Sequence, residues 1–110
     1  MLVNPNIAQS NSTNSPANSS GAVAVALTTV SSQVLTDRTA TKNRKDLFLY
    51  NVGPDSVLVN YGTTVSSSIY TAEILPTGSW RDFANSQGPI CARARSTNAT
   101  LNVTEFITLI

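Results

Sequence analysis

The chain has no histidine, a single cysteine (Cys91), two glutamates (Glu73 and Glu105) and only 12% charged residues, about half the usual share. These absences exclude whole chemistries. A Ser-His-Asp or Cys-His nucleophile cannot be assembled, and a Cys/His zinc cage cannot close. One cysteine makes no intramolecular disulfide, so the fold stands without staples and the chain reads as made in a reducing cytoplasm. The five glycines (21, 53, 62, 78 and 88) are dispersed singly, which leaves no phosphate-cradling loop. No stretch approaches the ~20 apolar residues of a membrane helix. The run GAVAVAL at 21–27 alternates like a strand and lacks the basic flank of a secretory signal. A net charge of +1 gives little footprint for nucleic-acid phosphates. The expectation is a non-enzyme with no cofactor, no metal, no membrane and no nucleic-acid partner.

In place of charge stand 14 Ser, 14 Thr and 11 Asn. The Asn-x-Ser/Thr triplets at 11, 18, 98 and 102 are what such a composition yields by chance. Residues 1–20 (MLVNPNIAQSNSTNSPANSS) have no charged side chain, two prolines and no hydrophobic period, and they read as an extended N-terminal arm. Too few apolar groups are present to offset an ordering cost of about 1–2 kcal/mol per residue in a lone chain. Docked on a neighbour, Leu2, Val3 and Ile7 are the anchors the arm offers.

From residue 21 to 110 the pattern is β. Val23, Val25 and Leu27 alternate with alanines, and further strands are predicted at 32–36, 47–52, 56–61, 69–75, 79–83, 90–95 and 99–110. Turn-formers separate them: Gly53-Pro54-Asp55, Gly62-Thr63-Thr64, Pro76-Thr77-Gly78, residues 85–89 and residues 96–98. Short strands at this spacing, with no helical stripe, indicate an all-β domain, a small antiparallel β-sandwich or jelly roll. Alternation places Leu47, Leu49, Val57, Val59, Tyr61, Ile74, Ile90, Ala92, Leu101, Val103 and Ile107 in the core. Glu105 falls in phase with the last three. It requires a strand end, an arginine partner or a bulge that flips the phase between Val103 and Phe106.

Four features could carry chemistry. The six carboxylates form no dense cluster; Asp55 reads as a turn former and Asp37 as a neighbour of Arg38. Arg38, Lys42, Arg44 and Lys45 crowd eight residues, followed by Phe48 and Tyr50. They read as a solvated strand entry or as arginines seeking a carboxylate, against a rival reading as a DNA contact. Trp80, in the SWRDF segment at 79–83, reads as packed beneath its turn, against a rival carbohydrate platform. Cys91 sits in an apolar strand with no base to activate it and reads as inert.

The order of strand and turn features is itself informative. NRKDLFLYN at 43–51 with Gly53, VLVNYG at 57–62, ILPTGSW at 74–80, GPICARA at 88–94, and Val103 with Glu105 resemble a module of tailed-bacteriophage virion proteins. The resemblance spans residues 38–105 and lies in framework features, not in an active site. It implies a small β-sandwich or jelly-roll part of capsid decoration, cement or staple proteins, or of tail and fibre proteins. The neutral arm and single-domain length look most like capsid staple proteins of short-tailed phages, and no repeats or heptads supply a fibre shaft. The implied function is a structural virion protein that binds and bridges major capsid subunits, made in the host cytoplasm and located in the virion. The alternative is a tail or fibre module that recognises a host glycan or joins tail components. Self-association as a homodimer is also expected, because Phe106, Ile107, Leu109 and Ile110 end the chain with apolar groups that a lone domain would cover. The partner-contact residues are therefore Leu2, Val3, Ile7, Phe106, Leu109 and Ile110.

Overall fold

The computed structural model describes residues 21–38, 42–82 and 86–109. The predicted arm at 1–20, with Leu2, Val3 and Ile7, lies outside the described residues, as does Ile110. All eight predicted strands are present: β1 (Val23–Leu27), β2 (Ser32–Leu35), β3 (Lys42–Pro54), β4 (Val57–Tyr61), β5 (Ala72–Ile74), β6 (Ser79–Arg81), β7 (Ile90–Ala94) and β8 (Ala99–Leu109). They form two four-stranded sheets, ordered β1-β8-β3-β6 and β2-β7-β4-β5. Every pairing is antiparallel. The chain is in effect one long hairpin with nested partners, β1 with β8, β2 with β7, β3 with β6 and β4 with β5, wrapped so that β3–β8 and β4–β7 close the sheets. Eight strands nested in this way form a jelly-roll sandwich.

Two strands differ most in length from the sequence reading. β3 begins at Lys42 rather than at 47, because the long β8 offers pairing partners as far as Leu109. Tertiary pairing here overrides a polar, weakly strand-forming NRKD segment. β5 is shorter than 69–75: Ile69 is exposed and Tyr70 and Thr71 belong to a loop, with the Thr71 amide donating to the Val59 carbonyl at 2.7 Å.

The inter-sheet core is built from alternate residues of facing strands, among them Leu47 and Leu49 of β3, Val57 and Val59 of β4, Ile90 and Ala92 of β7, and Leu101 and Val103 of β8. Ten of the eleven predicted core residues are buried, and the eleventh, Tyr61, is half-buried with its ring against the core. A full side chain buried here contributes about 1.5–3 kcal/mol. The second sheet is covered on its outer face too. Leu58 and Cys91 point away from the main core and form a small cluster with Val65 from the loop that follows β4. That loop is tied down by the Val65 backbone amide, which donates to Ser31 Oγ at 3.1 Å, and by Asn60 Nδ2, which donates to the Thr64 carbonyl at 3.0 Å. Alternation hides this cluster from a sequence reading, since it makes β4 apolar on both faces.

The β3–β4 turn explains one glycine. Gly53 has φ of +98°, a conformation that an L side chain adopts only with strain. Its amide donates to Asn51 Oδ1 at 2.8 Å, which fixes the turn from within.

Candidate functional site

The features that could act fall at two ends of the sandwich and on its open side. At one end, Glu105 projects inward from β8 and is met by two arginines. Arg44 Nε donates to Glu105 Oε2 at 2.8 Å, Arg38 Nε donates to the same oxygen at 2.8 Å, and Arg38 Nη2 donates to Oε1. Of the three solutions open to Glu105, the arginine partner is the one realised. A bulge is present as well, but in β3 between Arg44 and Asp46 and not in β8. The bulge resets the β3 phase, so Arg44 points inward like Leu47 and Leu49 while Lys45 stays exposed.

Arg44 is 1% exposed and has no free charge to offer. Its Nη1 donates to the carbonyls of Ser86 at 2.5 Å and Gly88 at 3.1 Å, and its Nη2 to the Thr36 carbonyl at 3.0 Å. The planar fork thus ties β3, β8 and two loops together, a task an ammonium group cannot perform. Gln87 completes the knot: its side-chain carbonyl accepts the Arg44 amide at 2.5 Å and its Nε2 donates to the Arg44 carbonyl at 2.8 Å, in the manner of a strand neighbour. Burial pushes the Glu105 carboxyl up, but the hydrogen bonds and charges of Arg38 and Arg44 outweigh it and hold the group below the usual carboxylate range. The basic cluster read from the sequence is therefore not a patch: two of its four cations close onto one carboxylate.

At the other end Asn51, fully buried, donates from Nδ2 to the carbonyls of Asp55 and Ile74, both at 2.8 Å. Its backbone continues the clamp, the Asn51 amide donating to Gly78 and the Thr77 amide to Asn51. Asp55 is the turn former predicted, and it does more. Its Oδ2 accepts the amides of Ser96 at 2.5 Å and Thr97 at 2.8 Å, and these bonds lower its pKa. The two turns are so locked side by side. Nothing in the sequence short of the fold brings residues 55 and 96 together.

Trp80 is half-buried against the core, its ring 5.9 Å from that of Tyr61 in an edge-on contact. The Tyr61 hydroxyl donates to Asp82 Oδ1 at 2.6 Å. Burial first, then that bond and the Asp82 charge, push the Tyr61 hydroxyl up to about 12. This packing follows the reading of Trp80 as a residue beneath its turn. Cys91 is buried, with its thiol pushed up by burial.

Of the predicted contact residues, Phe106 is exposed on the outer face of the first sheet, beside Phe48 and the Arg81–Asp46 pair at 2.7 Å. Leu109 holds a strand position opposite Lys42. The structure brings Phe106 together with Phe48, which in the sequence follows the basic cluster. The open side of the sandwich, where β1 and β2 are both edge strands, holds a groove of about 260 Å³ that the sequence did not reveal. Val23 and Val25 of β1, Val34 and Leu35 of β2 and Val103 of β8 line it, together with the Arg38–Glu105 pair.

Comparison with protein-family models, curated proteins and solved structures returned no match.

Proposed function

We propose that this chain is a structural virion protein, a capsid decoration or cement protein that binds and bridges major capsid subunits and so stabilises a phage head. One observation carries the reading. The residues that resemble the phage virion module are those that hold the frame: Arg44 and Glu105 knot one end, while Asn51 and Gly53 lock the other. The shared pattern is thus a rigid scaffold, and two surfaces beside it carry exposed apolar side chains, with an ion pair in each. These are the β1–β2 groove and the Phe48–Phe106 face.

Such surfaces suit a bridging role. Each contact is modest, but a copy held by one subunit meets the next at high effective concentration, so shell geometry supplies the affinity. With little charge at the contacts, attachment should resist salt, unlike attachment through ion pairs. Purified particles that carry the chain test this directly. Quantitative mass spectrometry should find it in numbers commensurate with the capsid subunits, and a high-salt wash should leave it bound. A handful of copies, or density confined to the tail, would refute the proposal.

A further inference from the structure

The four edges of the sandwich are not alike. β5 and β6 have three residues each and carry Glu73 and Arg81, the short and charged kind of edge that resists strand addition. β1 (VAVAL) and β2 (SQVL) carry no charge and no proline, and β1 has a neighbour on one side only. The groove lies between these two unguarded edges, and Val23 on its wall is 64% exposed.

We infer that the groove is the seat of residues 2–7 of a second copy of this chain, exchanged across a two-fold axis so that each copy seals the other's open side. Gly21 itself lines the groove, so the twenty residues before it are joined to the domain at the groove. Charge agrees on both sides. Residues 1–20 have no charged side chain, and the two charges that reach the groove are already engaged with each other. Length agrees as well: six extended residues span roughly 20 Å, close to the roughly 17 Å of a five-residue strand such as β1.

Filling by the same chain is disfavoured. The residues next to β1, NSPANSS at 14–20, are small, polar and interrupted by Pro16, a poor partner strand. Bringing Leu2, Val3 and Ile7 back instead needs residues 8–20 as a structureless loop, longer than most connections in compact domains. Extended outward, the same thirteen residues reach roughly 40 Å, enough for an adjacent copy. Exchange of an identical element is also a low-cost route to a closed dimer. The inference stands on the groove and the edges, and does not depend on the capsid role.

The test uses two full-length single variants, Ile7→Cys and Val34→Cys, mixed and treated with a short bis-maleimide; the unmodified chain, with only the buried Cys91, is the control. A cross-linked heterodimer is expected in the mixture. It should be lost when Val23→Lys, at an exposed position that leaves Trp80 fluorescence unchanged, is added to the Val34→Cys chain. The double variant in one chain should yield dimers. Cross-links within single chains only, no cross-link in the mixture, or a cross-link that survives Val23→Lys would each overturn the inference. All of these are read on the isolated protein, so they leave the capsid proposal to its own test.

Discussion

Replacing Arg44 by methionine keeps the volume and apolar stem of the side chain but removes its fork. Four hydrogen bonds vanish at once, one to Glu105 and three to the carbonyls of Thr36, Ser86 and Gly88. Glu105 would keep Arg38, whose side chain is 24% exposed and so screens it less completely than the buried Arg44. Three carbonyls lose a charged donor and Glu105 loses the more buried of its two partners, which together should cost about 3–5 kcal/mol, the range for breaking a buried ion pair. A domain of this size has about 5–15 kcal/mol in all. The variant should therefore lose roughly a fifth or more of its stability, and its Tm should fall by roughly 12–40 °C. Urea unfolding followed by the fluorescence of Trp80, the sole tryptophan, reads the change directly. Arg44→Lys should cost nearly as much as Arg44→Met, since one ammonium cannot serve an in-plane carboxylate and three carbonyls. Glu105→Gln leaves the carbonyl bonds of Arg44 in place but strips the buried guanidinium of its counter-charge, and should also cost about 3–5 kcal/mol. A loss below about 0.5 kcal/mol for Arg44→Met, the range of a surface substitution, would refute the view of Arg44 as the knot.

Three further outcomes are expected. Glu105 titrates below its ordinary 4.5 in the folded state, so the unfolded chain takes up the proton first: stability is fully present above pH 4.5 and is lost as pH falls from there toward the lower folded-state value, and Glu105→Gln should flatten that slope in urea midpoints. Asn51→Ala removes two donations and one acceptance in a fully buried site and should cost about 3 kcal/mol by the same unfolding assay, with no rescue by Asn51→Asp, which cannot donate. Tyr61 keeps its proton up to about 12 against an ordinary 10, so stability is present below pH 10 and is lost as pH rises toward 12; a spectrophotometric titration should show a late component that disappears in Tyr61→Phe.

Strand existence was legible because period-two alternation and turn chemistry are local properties. The eight strands and ten of the eleven core positions follow from them. What was not legible came from residues far apart in sequence. An arginine pairing with a carboxylate is among the readings the sequence allows for the basic cluster and for Glu105, but not which arginines: the bulge that turns Arg44 inward exists only once β3 lies on β8. Asp55 was read as a turn former, but its second task, holding the turn at 96–97, needs the two ends of the hairpin brought together. The groove escaped for a like reason: the alternation of β1 says that its valines share a face, not that this face meets no covering strand. Leu58, Cys91 and Val65 were missed because alternation assumes one wet face, and here a loop dries it.

The nested strand order has a consequence for how the protein is made. β8 lies in the middle of its sheet, flanked by β1 and β3, yet it is translated after every strand it joins. Until it leaves the ribosome, the first sheet has no centre, β1 has no neighbour, and Glu105 is not there to receive the arginines. Pairings this distant in sequence form slowly, and unfinished edges invite association between nascent chains. The groove and the Phe48–Phe106 face, both built partly on β8, therefore take shape only once translation has passed that strand.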